Sequence, residues 1–96
     1  MRVRNLNGTS KNPDCPCGTW EKHWENYTGK RFAICSEIEC RKGADDGSHV
    51  QKVNSSDKSW YIIPLCKTHN GLHGQEIDIL DNTILVPVTG RNKCGS

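Results

Sequence analysis

The sequence predicts a single small α+β domain with a ββα centre, one helix before it and a β-hairpin after it. Three observations predict this. The chain has 96 residues, the length of one domain. It is polar, 33% hydrophobic with a mean hydropathy of −0.73, so its core is small and needs a staple. Six cysteines and four histidines are available, and four of these ten residues fall in two short-spaced pairs, Cys35-x4-Cys40 and Cys66-x2-His69.

Each element has its own reason. Residues 1–18 are rich in Asn, Gly, Ser and Pro and read as an irregular arm ending in Cys15-Pro16-Cys17-Gly18. Residues 19–28 read as a helix, with Thr19 as N-cap and Gly29 just past its end. Trp20, His23, Trp24 and Tyr27 recur at i, i+3, i+4, i+7, a single face suited to core packing. Residues 30–47 are irregular, with turns at Gly43 and Gly47. Residues 48–53 alternate weakly like a strand, 54–59 form a polar turn, and Trp60 to Ile63 is a second strand stopped by Pro64. A short helix runs from Cys66 to about His73, limited by Gly71 and Gly74. Ile77–Leu80 and Ile84–Val88 flank Asp81-Asn82-Thr83 and read as a closing hairpin over residues 76–88.

Two thiolate-bearing pairs with one imidazole suit tetrahedral zinc. Cys66 and His69, one turn apart at a helix start, point to the same side, and Cys35 and Cys40 supply the opposing two donors. Four protein ligands fill the tetrahedron, which makes this zinc structural. A cysteine pair, a hairpin, then a pair at a helix start is the treble-clef layout. Cys15, Cys17, His23 and Cys94 form a second, looser ligand set. It would be a Cys3His zinc site, a disulfide to Cys94, or free thiols. No apolar stretch opens the chain and none approaches a membrane span, so a cytoplasmic protein with no membrane partner is expected. Reduced, metal-binding cysteines fit that compartment.

The formal charge is +2. Three thiolates and one Zn²⁺ change it by −1 per site, so two sites bring it to zero. Strong phosphate binding therefore needs a local patch. Arg2, Arg4, Lys11, Lys30, Arg31, Arg41 and Lys42 are the residues able to form one.

Residues 35–70 resemble the zinc-containing HNH nucleases of the His-Me-finger (ββα-metal) group. The resemblance rests on Cys35, Cys40, Ser48-His49-Val50 and Leu65-Cys66-x2-His69-Asn70, and covers a little over a third of the chain. It implies His49 as general base toward a phosphodiester and Asn70 as a ligand to a catalytic Mg²⁺ or Mn²⁺. Asp45, Asp46 or His73 would assist that metal. Three positions depart from the family pattern. Ser48 stands where an acid is usual, Asn70 where a histidine is usual, and Trp60 and Tyr61 occupy the neighbourhood of the middle Asn. Three functions follow, in this order. The first is a zinc module binding nucleic acid or a protein partner, with a degenerate catalytic site. The second is a small metal-dependent endonuclease using His49 and Asn70. The third is an inhibitor or adaptor of the kind encoded by mobile elements.

Overall fold

The computed structural model describes residues 1–6, 20–72 and 74–88. They form an α+β structure with two helices and one five-stranded antiparallel sheet. The strands and helices are β1 (Arg2–Asn5), α1 (Trp20–Thr28), β2 (Asp46–Lys52), β3 (Tyr61–Leu65), α2 (Lys67–Asn70), β4 (Glu76–Asp78) and β5 (Val86–Pro87). The strand order is β4-β1-β2-β3-β5.

The β2–β3 hairpin is the centre of the sheet, with Asp46 opposite Leu65 and Val50 opposite Tyr61. β2 begins two residues before its expected start and β3 ends two residues past its expected stop. Gly47, expected in a turn, lies inside β2. A Cβ there would sit 2.8 Å from the backbone carbon and Cβ of Trp20, so glycine admits the start of α1 against the strand. Pro64, expected to stop β3, is also inside it, opposite Gly47. Its missing N–H is tolerated because β5 pairs only with Tyr61 and Ile62, and the Pro64 carbonyl accepts the Ser36 N–H at 2.9 Å.

Two sequence expectations are corrected. The first six residues of the arm are not irregular: β1 pairs with both β2 and β4. Val3 and Asn5 are buried and Arg2 and Arg4 exposed, an alternation too short to be read without the neighbouring strands. The 76–88 hairpin does not form. Its turn exists, with the Thr83 N–H on the Leu80 carbonyl at 3.0 Å, but β4 and β5 sit on opposite edges of the sheet. Cross-strand ion pairs hold β4 on β1, namely Arg2 with Asp78 (2.9 Å) and Glu76 (3.5 Å), and Arg4 with Glu76 (3.3 Å).

The sheet has a different cover on each face. Helix α1 lies over one, where Trp20, Trp24, Phe32, Ile62 and Val86 form an apolar cluster. The expected aromatic stripe is shortened: Trp20, His23 and Trp24 are buried, while Tyr27 is half exposed. Gly29 ends α1 in the left-handed region (φ 70°), as expected, donating to the Glu25 carbonyl at 2.8 Å. The other face carries Val3, Cys35, Val50, Ile63, Leu65, Cys66, Ile77 and Ile79. Alternation along β3 sends Ile62 to the first cluster and Ile63 to the second.

Candidate metal centre

Cys66 directly follows β3 and precedes the single turn of α2. That turn brings the His69 ring back over it, with Nδ1 at 3.2 Å from Cys66 Sγ. Both ends of the turn are held from outside it. The Lys67 N–H donates to the Asp45 carboxylate at 3.0 Å, satisfying a first-turn donor. Asn5, from β1, donates through Nδ2 to the carbonyls of His69 (3.1 Å) and Asn70 (2.8 Å). Asn5 thus positions the segment that carries His69.

The opposing pair comes from a loop stitched to the sheet. The Cys35 N–H donates to Lys42 O (3.0 Å), and the Cys40 N–H closes a turn on Glu37 O (3.1 Å). Cys35 Sγ lies 3.5 Å from His69 Nδ1, and Cys40 Sγ lies 3.9 Å from Cys66 Sγ. All four donor atoms fall within 4.8 Å of one another. A zinc tetrahedron has S–S edges of about 3.8 Å and S–N edges of about 3.5 Å. The three edges given lie within about 0.3 Å of those values. Cys35, Cys40, Cys66 and His69 are therefore close enough to hold one metal ion, and the donor set is consistent with zinc.

Their ionisation points the same way. Burial pushes the Cys35 thiol up to about 12. Burial also works to raise Cys66, but hydrogen bonds from the backbone and ring of His69 outweigh it and bring the thiol down to about 7. Without a cation the Cys35 thiol keeps its proton at neutral pH, and a bound dication would displace it, so metal uptake would release that proton.

His49 and Asn70 are arranged differently. His49 is 3% exposed and stacks edge-on against Trp20 (4.8 Å between ring centroids) and Trp60 (6.0 Å). Its Nδ1 has no hydrogen-bond partner. Burial, then the nearby His23, lowers its pKa to about 4, so the ring is neutral. Asn70 sits below the other face. Its Oδ1 accepts the Ser48 hydroxyl and its Nδ2 donates to Asp46 at 3.2 Å. Ser48 and His49 are consecutive in β2 and point to opposite sides of the sheet. His49 and Asn70 therefore do not share a cleft. Asp45 and Asp46 do lie beside α2, as helix cap and amide acceptor. Asn5, the residue that sequence reasoning missed, had no signal of its own, since one buried Asn on a four-residue strand fits no ligand spacing.

Of the second ligand set, Cys15, Cys17 and Cys94 lie outside the described residues, as do Thr19, His73 and Lys11. His23 is buried on α1 with Nε2 3.0 Å from the Pro87 carbonyl, which requires the proton on Nε2. Its Nδ1 has no hydrogen-bond partner among the described residues. The described basic residues fall into two groups. Arg2 and Arg4 are engaged by β4. Lys30, Arg31, Arg41 and Lys42 are exposed around Cys35 and Cys40 and join no ion pair among the described residues. No helix among the described residues is long and apolar enough to cross a membrane.

No family model matches the sequence. Comparison with curated proteins and with solved structures returns no significant match.

Proposed function

We propose that the protein is a non-catalytic zinc module of treble-clef type that acts by binding a macromolecular partner, nucleic acid or protein. One observation carries the reading. The four donors Cys35, Cys40, Cys66 and His69 converge within 4.8 Å of one another, close enough to hold one metal ion, while His49 and Asn70 lie on opposite faces of β2. A filled tetrahedron has no open position for substrate. A general base needs a reachable proton and a suitable pKa, whereas His49 is packed between two indoles and stays neutral to about pH 4. The treble-clef assignment is supported by the order of the parts: a loop with two cysteines, the β2–β3 hairpin, then Cys66 and His69 at the start of α2.

The test is cleavage of plasmid and single-stranded DNA in Mg²⁺ or Mn²⁺ by the zinc-loaded protein and its His49→Ala variant. No cutting in either metal is expected. Cutting that disappears in His49→Ala would overturn the module in favour of an endonuclease.

A further inference from the structure

A cleft of ≈240 Å³ opens beside the loop that carries Cys35. One wall is the 33–36 segment and the other is 80–84, and the two are pinned together where the Leu80 N–H donates to Ser36 O at 3.0 Å. Its volume lies below the roughly 300–1,000 Å³ that takes a whole cofactor. It suits one or two side chains of a larger partner. Ile34 and Leu80 rim it, and they are 57% and 38% exposed. Two partly exposed aliphatic side chains on one cleft give a partner's side chains an apolar seat.

The backbone adds a second feature. The hydrogen bonds from Ala44 N to Ala33 O and from Cys35 N to Lys42 O bracket Ile34 opposite Gly43. In such an antiparallel pair the N–H and C=O of the bracketed residue turn outward. Ile34 therefore offers its own donor and acceptor to an added strand.

Charge selects the occupant. Lys30 and Arg31 line the cleft, exposed and without an ion-pair partner among the described residues. The nearby acids are otherwise engaged. Glu25 accepts the Phe32 N–H at 2.9 Å, and Asp81 pairs with the Met1 amino group at 2.8 Å. Single-stranded nucleic acid is disfavoured, because bases need an exposed aromatic platform. The aromatic in this lining, Trp24, is 6% exposed, and its indole N–H is held by Ile84 O at 2.9 Å.

We propose that this cleft docks a short extended segment of a protein partner, with aliphatic residues seated between Ile34 and Leu80 and flanking carboxylates on Lys30 and Arg31. The inference rests on the binding-module reading and names the partner class for it.

The experiment is an amide-resolved NMR titration of the zinc-loaded protein with a pool of acetylated tetrapeptides of the form acidic–aliphatic–aliphatic–acidic. Shifts confined to residues 30–36 and 80–84 are expected. Arg31→Glu should weaken binding about tenfold, the scale of one close charge pair lost across an interface. A pool with lysines in place of the acidic residues should then bind the Arg31→Glu variant better than the wild type. Leu80→Asp, a change at an exposed position, should also abolish the cleft shifts, with native dispersion and zinc content showing that the fold persists. Absence of cleft shifts at millimolar peptide, or shifts that survive both variants, would overturn the proposal. So would oligothymidine moving the same resonances more strongly than the peptides. Zinc loading and DNA cleavage are read separately, so failure here leaves the module reading standing.

Discussion

Adding a chelator to the zinc-loaded protein should strip the ion from Cys35, Cys40, Cys66 and His69 and release the anchor of the 30–45 segment. That segment contains no helix and no named strand. It is tied to the sheet by a few backbone hydrogen bonds, such as Ser36 N to Pro64 O (2.9 Å) and Ile38 N to Asp78 O (3.0 Å). Cys35 is also fully buried among Val3, Val50 and Ile63, so loss of the loop opens that cluster. A chain of 96 residues has a total stability of about 5–14 kcal/mol. Zinc at a thousand times its dissociation constant supplies about 4 kcal/mol of that. The corresponding fall in melting midpoint is about 15–30 °C for a domain of this size. Thermal melts with and without chelator measure it, with native mass spectrometry recording the zinc bound. Cys35→Ser should remove one zinc per chain, because a neutral hydroxyl replaces a soft thiolate. The reasoning fails if full zinc removal moves the midpoint by less than about 3 °C. It fails equally if Cys35→Ser leaves the stoichiometry unchanged.

Other perturbations have distinct signatures. His49 has its folded pKa lowered from 6.5 to about 4, so the unfolded chain takes up a proton that the folded one refuses. Its contribution is whole above pH 6.5 and is lost as pH falls toward 4, amounting to roughly 2 kcal/mol at pH 5. Urea midpoints at pH 7 and pH 5 should show the wild type losing about that much more than His49→Leu, with acid release of zinc common to both. Asn5→Ala leaves the half-buried carbonyls of His69 and Asn70 without the Asn5 donor, which should cost about 1–3 kcal/mol. Competition with a zinc-sensitive dye should also show weaker zinc binding, since Asn5 holds the segment carrying His69. Gly47→Ala forces a methyl against the Trp20 backbone at 2.8 Å, so chemical denaturation should report a loss of about 1–3 kcal/mol with zinc still bound.

The ligand set was legible in the sequence because it is local. Cys66 and His69 meet through one helical turn, and no distant residue is needed to see that they face one way. The helix and its buried stripe were legible for the same reason: Trp20, His23 and Trp24 repeat on one face, and Gly29 ends it in a conformation that glycine favours. Tyr27 belongs to the stripe by spacing and its ring lies 6.4 Å from that of His23, but it stays half exposed. β1, β4 and β5 were not legible as a sheet. They have four, three and two residues, too few for a period, and each is a strand only because a distant segment pairs with it.

The amino-acid sequence by itself determined the donors Cys35, Cys40, Cys66 and His69, helix α1 and the β2–β3 hairpin, since these follow from spacing, periodicity and turn chemistry within short windows. Only the tertiary structure decided where the edge strands go and which way the His49 and Asn70 side chains point. His49 and Asn70 are compatible with one site on paper. The pleat of β2 turns Ser48 toward Asn70 and the next residue, His49, toward Trp20, because consecutive side chains of a strand leave by opposite faces. What covers each face is set by long-range packing, and that packing places the Cys35, Cys40, Cys66 and His69 cluster on the Asn70 side of β2 and His49 on the other.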